Sequence, residues 1–192
     1  MLVDNTRTDK NTTHSYLDLY ERLLRGKKET ARTVLEVGIG DGNQGATNGG
    51  SIKLWHDYFR CATVYALDIQ PIEKVWDGLK RNPRIVLCTS SDAYNPTFVQ
   101  KTFVETNKRF DFMLDDGPHT LESMFAFIEL YTQLMTDDGI LIIEDVQSWD
   151  WIIPMINHVP PHLKQYVEVY DLRPIKGRYD DIVFVINKSR SE

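Results

Sequence analysis

Short apolar runs alternate along the chain with stretches in which apolar residues recur at helical spacing. Tyr16, Leu17, Leu19, Tyr20, Leu23 and Leu24 predict a first helix over 15–25 that ends at Gly26. A strand over 32–37 follows, and Gly49-Gly50 opens a second helix with Ile52, Leu54, Trp55 and Tyr58 on one face. A second strand, 63–67, ends at Asp68; after Pro71, Val75, Trp76 and Leu79 predict a short helix before a third strand at 84–88. A helix near 97–107 leads to a fourth strand at 110–114. The most apolar helix, 121–135, comes next, and Asp137-Asp138-Gly139 turns the chain into a fifth strand at 140–143. Beyond it the alternation loosens into a short helix over 149–158 and two last strands, 165–170 and 182–186, around the turn 173–178.

Five strands alternating with helices predict an α/β fold: a Rossmann-like, doubly wound, mainly parallel sheet with helices on both faces. The terminal hairpin would add an antiparallel strand at one edge. No internal repeat, low-complexity segment or linker interrupts the pattern, so 1–192 reads as a single domain.

In such a sheet, ligands sit outside the carboxyl ends of the strands, and the polar residues gather at those ends. The first strand runs into Glu36-Val37-Gly38-Ile39-Gly40-Asp41-Gly42, with glycine at every second position from 38. Glycine lets backbone approach a ligand closely and tolerates positive φ, which makes this loop a cofactor cradle. The dinucleotide fingerprint G-x-G-x-x-G fits less well, because its third glycine falls on Asn43 and no helix opens at once. Asp68 closes the second strand 28 residues after Gly40, where an acid can accept both hydroxyls of a ribose or simply cap the next turn. Ser91 and Asp92 follow the third strand.

Asp115 and Asp116 end the fourth strand, and Glu144 and Asp145 the fifth. If these strands are neighbours, Asp116, Glu144 and Asp145 converge, and their repulsion needs a cation or shared protons to offset it. Oxygen ligands of this kind suit Mg²⁺ or another hard divalent cation. His119, three residues past Asp116, could remove a proton near neutral pH from a hydroxyl held there.

Composition narrows the class further. With 42% hydrophobic and 26% charged residues the chain is an ordinary globular protein. No apolar run approaches the ~18 to 20 residues of a membrane span, and the polar start Asp4-Asn5-Thr6-Arg7 is no signal peptide, so a cytoplasmic location is expected. Cys61 and Cys88 are too few for a disulfide framework or a zinc site and read as reduced core thiols. A net charge of -6 argues against a nucleic-acid partner.

Taken together, these marks resemble the class I S-adenosylmethionine-dependent methyltransferases, and more narrowly the metal-dependent sugar O-methyltransferases of macrolide tailoring. They comprise Thr8-Asp9-Lys10 with His14 and Tyr16, Glu36 to Gly40, Gly49-Gly50-Ser51-Ile52 leading to Trp55, and Leu67-Asp68-Ile69. Ser91-Asp92, Leu114-Asp115-Asp116-Gly117-Pro118-His119 and Ile142-Ile143-Glu144-Asp145-Val146 complete them. The resemblance spans nearly the whole chain, without the extra amino-terminal domain some of these enzymes carry. Ser90 and Pro118 depart from the usual glutamine and serine.

The resemblance implies S-adenosylmethionine and Mg²⁺ as cofactors and a sugar hydroxyl of a glycan or glycoside as methyl acceptor. Asp116, Glu144 and Asp145 would bind the metal and His119 would be the base. The methionine end of the cofactor would lie along Glu36, Gly38, Gly40, Asp41 and Gly42 and near Ser51. Asp68 and Ile69 would take the ribose side, Ser91 and Asp92 the adenine, with Asp115 alongside, and Tyr16 would help close the site. Residues 1–30 would then be a helical lid, 31–146 the cofactor and metal core, and 147–192 a substrate-side helix and hairpin. Trp149 and Trp151 could wall a sugar ring or simply pack. Arg173, Lys176 and Arg178 suit either a solvated turn or an acidic acceptor, with Asp180 and Asp181 expected to pair with them or cap the turn. A catechol-like acceptor, a nicotinamide-dependent oxidoreductase and a non-catalytic nucleotide-binding module are the alternatives. The chain could act alone, as a homo-oligomer or as one module of a larger polypeptide.

Overall fold

The computed structural model describes residues 1–2, 7–40 and 48–189. The chain divides into two compact units, Met1–Asp92 and Ala93–Glu192, with strand order β3-β2-β1 in the first and β4-β5-β7-β6 in the second.

The first unit holds α1 (Leu17–Leu24), β1 (Thr33–Val37), α2 (Gly50–Tyr58), β2 (Thr63–Leu67) and β3 (Ile85–Cys88). Its strands are parallel, with Val34 beside Val64 and Val64 beside Ile85. Val34, Leu35, Val64, Ala66 and Leu67 are buried, as expected of parallel strands covered on both faces. Leu17, Leu19, Tyr20 and Leu24 of α1 face this core.

Local details depart from the periodicity. The first helix ends at Leu24, beside the expected boundary at Gly26, but a 3₁₀ turn, Arg25–Lys27, follows it directly. The helix expected after Pro71 is only a 3₁₀ turn, Ile72–Lys74. Val75 is extended there, and the Trp76 amide donates to the Asn48 side chain, 2.9 Å. The apolar residues Val75 and Leu79 are still buried, so burial was legible but its helical vehicle was not. Neither cysteine is a core thiol: Cys61 is exposed and Cys88 half-buried.

The second unit contains α3 (Pro96–Val99), which widens into a π-type turn over Gln100–Val104, then β4 (Phe110–Asp115), α4 (Leu121–Tyr131), β5 (Met135–Ile143), α5 (Ile152–His158), β6 (Val167–Asp171), α6 (Arg173–Lys176) and β7 (Ile182–Asn187). Asn95 caps α3 by accepting from the amides of Thr97 and Phe98. The strand β5 starts earlier than the sequence suggests. Asp137-Asp138-Gly139 lies inside it as an irregularity, where the β4–β5 register shifts between Phe110 and Phe112. The terminal hairpin lies at one edge as expected, with β7 antiparallel to both β5 and β6 and β6 outermost. All six β7 residues are buried, whereas the edge strand β6 is half-exposed. The continuous run Ile-Val-Phe-Val-Ile is what a strand covered on both faces requires. No helix among the described residues is long and apolar enough to cross a membrane.

Gly50 is fixed by close approach: a Cβ there would sit 1.6 Å from the Arg7 carbonyl oxygen. Gly26, by contrast, has nothing within 4 Å of that position. Gly50→Ala is therefore expected to cost about 3 kcal/mol through forced displacement of backbone. Gly26→Ala should stabilise by roughly 0.5 kcal/mol through the unfolded chain. Urea denaturation of the two variants measures both.

Candidate active site

In the first unit the site-forming residues sit at the carboxyl ends of β1, β2 and β3. Glu36, next to last in β1, is wholly buried. Its carboxylate accepts from the Ser51 hydroxyl, 2.6 Å, and from the Trp55 indole N–H, and the Lys10 ammonium lies 3.6 Å away. Ser51 and Trp55 are one turn apart on α2, so both donors reach the same carboxylate. A buried charge of this kind is tolerable only with such partners.

The glycine loop leaves β1 with Gly38 at φ +94° and Gly40 at φ +146°. A Cβ on Gly40 would stand 2.8 Å from the Asn48 Cα, so the outgoing and returning arms of the loop pass in backbone contact. Asp41 and Gly42 lie outside the described residues. Asp68, at the end of β2, accepts from the Ile39 amide through Oδ2 and from the Gln70 amide through Oδ1, both 2.8 Å. The carboxylate thus ties the glycine loop to β2 and caps its own turn, and each oxygen keeps a second lone pair for a ligand hydroxyl. Beside it Ile69 is 71% exposed, an apolar surface that packing within the unit does not consume. The Ser91 amide donates to the Asp68 carbonyl and its hydroxyl to Thr89, both at 3.1 Å, while Asp92 is exposed. Tyr16 is fully buried, stacked on His14 and Tyr20 with ring centres 4.9 and 5.7 Å apart. Lys10, His14 and Tyr16 are thus part of the packed interior of this unit.

In the second unit β4 delivers Asp115, buried, which accepts from the Tyr94 hydroxyl at 2.5 Å. Burial pushes its carboxyl up to about 7, an effect that the Tyr94 hydrogen bond opposes and the neighbouring Asp116 charge adds to. One residue on, Asp116 meets His119 and Asp145: His119 Nε2 is 3.7 Å from Asp116 Oδ1 and 3.6 Å from Asp145 Oδ2. One ligand atom from each of the three lies within 4.8 Å of the others. Glu144 is not part of that trio. It is buried, and its amide donates to the Asp115 carbonyl at 3.2 Å. Successive strand residues point to opposite faces, and only a backbone turn lets Asp145 swing toward Asp116. That turn is present, since Asp145 has φ +55° and His119 φ +54°, both in the region non-glycine residues avoid. Thr120 follows His119 as the cap of α4, in a reciprocal box with Ser123 that fixes where the helix starts.

The charged turn near the carboxyl end is internally paired. Arg173 makes a two-pronged bond to Asp171, 2.8 and 2.7 Å, and Arg178 one to Asp180, 3.1 and 2.9 Å. Arg173 also lies over the Trp149 ring, 5.6 Å from its centre, and Trp149 is 46% exposed. Trp151 is half-buried. Sequence reasoning had not assigned Asn48, Tyr94, Gln147 or Tyr179 a place near these residues. Their signal is positional, since each bonds to a residue that only the fold brings close.

No family model matches the chain. Among solved structures, the fold superposes on the MycE methyltransferase of the mycinamycin pathway, in complex with Mg, SAH and mycinamycin VI, with a TM-score of 0.71 at 17% identity. That match covers 99% of this chain and 56% of MycE. The fold is that of a class I methyltransferase. An O-methyltransferase from Bacillus cereus shares it at a TM-score of 0.57, 16% identity and 88% and 79% coverage of the two chains. By sequence this methyltransferase-fold chain is similar to sugar O-methyltransferases of antibiotic tailoring. It is 30% identical over 145 residues to 8-demethyl-8-alpha-L-rhamnosyl tetracenomycin-C 2'-O-methyltransferase of Streptomyces olivaceus, covering 75% of this chain and 36% of that one. It is 27% identical over 138 residues to L-olivosyl-oleandolide 3-O-methyltransferase of Streptomyces antibioticus, covering 72% and 34%. The chain spans about a third of the length of these curated relatives.

The Lys10–Glu36 pair gives the first unit its own test. Lys10→Met leaves a buried carboxylate without its cation and should cost about 3 to 5 kcal/mol, whereas Lys10→Met with Glu36→Gln should recover much of that loss. Chemical denaturation of the single and double variants checks both.

Proposed function

We propose that this chain is an S-adenosylmethionine-dependent O-methyltransferase domain acting on a sugar hydroxyl of a glycoside, with a divalent cation such as Mg²⁺ in the second unit. The observation that carries this reading is the convergence of Asp116, His119 and Asp145 in a chain whose relatives are named for methylation of rhamnosyl and olivosyl glycosides. MycE, the structural neighbour, is described in complex with Mg and SAH.

The residues fit both groups. In the first unit Gly38 and Gly40 bend the loop through positive φ, Asp68 keeps a second lone pair on each oxygen for hydroxyls, and exposed Ile69 offers an apolar face. Ser91 and Asp92 stand beside them, and Glu36 with Ser51 holds the loop from below. In the second unit the Asp116 and Asp145 carboxylates converge beside the His119 imidazole, and carboxylate oxygens are donors that a hard cation accepts. Asp116 and Asp145 would hold that cation, with Glu144 as the third carboxylate of the sequence expectation. When bound, the cation would orient two adjacent acceptor hydroxyls and acidify one of them, and S-adenosylmethionine would provide the methyl group on a positively charged sulfur.

His119 does the proton chemistry. Its imidazole takes the proton of the acceptor hydroxyl as the new carbon–oxygen bond forms and the carbon–sulfur bond breaks, and the neighbouring carboxylates stabilise the imidazolium that results. Because attack on a sulfonium methyl needs little covalent help, alignment and deprotonation supply most of the rate.

The test is calorimetry of S-adenosylhomocysteine binding, with Mg²⁺ and with chelator, followed by turnover on a rhamnoside-bearing acceptor. His119→Ala should retain binding and lower turnover by about 10² to 10⁴-fold. Asp116→Ala should abolish the Mg²⁺ dependence. Absence of S-adenosylhomocysteine binding under every condition would remove the proposal, and unchanged turnover in His119→Ala would remove the base.

A further inference from the structure

Asp145 follows β5 in a left-handed backbone conformation, φ +55°, and such a conformation persists only where the surroundings over-determine it. The residues around it show how. The Gln147 side-chain amide donates back to the Asp145 carbonyl at 2.9 Å. The other end of that amide, Oε1, accepts from the Tyr179 hydroxyl at 2.8 Å. Between them the Val146 amide donates to the Ile182 carbonyl at 3.1 Å. Thus the three residues 145–147 are fastened at two points to the stretch 179–182 that enters β7, whose six residues are buried.

The orientation of the amide is also set. Its NH₂ end faces a carbonyl, which can only accept, and its oxygen faces a phenol able to donate, so a flipped amide would lose the first bond outright. Tyr179 is 65% exposed, so burial of its ring does not explain its position, and its hydroxyl is the part the fold engages.

We propose that Gln147 and Tyr179 are positioning residues that hold Asp145 in its strained conformation and so set the affinity of the Asp116, His119 and Asp145 cluster for a divalent cation. The inference rests on the metal reading given above. Neither residue touches the cation. They act through the Asp145 carbonyl, as outer partners of a ligand commonly do, with losses of about 10 to 100-fold in metal affinity when they are removed.

Titration calorimetry with Mg²⁺ alone, on the wild type, Gln147→Met, Tyr179→Phe and the double variant, tests it, with S-adenosylhomocysteine affinity measured in parallel. Methionine keeps the length of glutamine and removes both hydrogen-bonding ends. Gln147→Met should weaken Mg²⁺ about tenfold, and Tyr179→Phe should weaken it less. The double variant should equal Gln147→Met, because the tyrosine acts only through the glutamine. S-adenosylhomocysteine should bind all four proteins equally. Wild-type Mg²⁺ affinity in Gln147→Met would overturn the inference while leaving the metal reading intact. A parallel fall in S-adenosylhomocysteine affinity would overturn it by marking the pair as general supports of the fold. No Mg²⁺ binding by the wild type would remove the metal reading itself, and this inference with it.

Discussion

The arrangement of the first unit depends on a carboxylate with no access to solvent. Glu36 sits at the end of β1 with Lys10, Ser51 and Trp55 around it. Each comes from a different distance along the chain, so the carboxylate has its full set of partners only when the amino-terminal segment, β1 and α2 are all in place. A buried ion pair of this kind contributes less to net stability than to the uniqueness of the arrangement, since alternatives leave a charge unpaired in the interior. The glycine loop begins two residues later. Its take-off from β1 and its return at Gly49 are fixed by that pairing together with the Asp68 bond to the Ile39 amide.

The same economy recurs in the second unit with backbone instead of charge. Two of the three residues in the candidate metal cluster, His119 and Asp145, occupy left-handed conformations. Each is followed at once by a fixed structure: the Thr120–Ser123 capping box after His119, and the Val146 bond into β7 after Asp145. The strain is thereby placed where rigid neighbours can hold it, and it turns side chains leaving two different strands toward one point. Successive residues of an ideal strand would have sent Glu144 and Asp145 to opposite faces. The turn at Asp145 explains why Asp145 and not Glu144 joins Asp116 and His119.

Much of this was legible in the sequence because it follows from period and position. The strand β2 was predicted residue for residue, since Thr-Val-Tyr-Ala-Leu is a short apolar run closed by an acid. The clustering of acids at strand ends follows from topology alone. What was not legible depends on partners distant in sequence. The 70s segment has helical spacing, but Asn48 captures the Trp76 amide and the chain stays a loop. The end of α1 falls beside Gly26 as its spacing suggests, but the 3₁₀ turn over Arg25–Lys27 that follows has no mark in the sequence. The terminal hairpin at one edge was legible, and the five buried apolar residues from Ile182 to Ile186 mark β7 as its inner strand.

The division of chemistry between the two units has a physical reason. Under the proposed function, a methyl donor that carries its own leaving group would ask the first unit for alignment, and the backbone bends of a glycine loop pinned by Asp68 would provide it without offering a competing nucleophile. The acceptor hydroxyl, by contrast, must lose a proton, and this needs charge. The second unit concentrates it, with four acids and a histidine at or just past the ends of two adjacent strands, while Arg173 and Arg178 pair with Asp171 and Asp180. Arg173 and Arg178 are held by two-pronged bonds to Asp171 and Asp180, while Asp116 and Asp145 converge on the His119 imidazole, so the cationic group that the fold places between those two carboxylates is one that can also give up its proton.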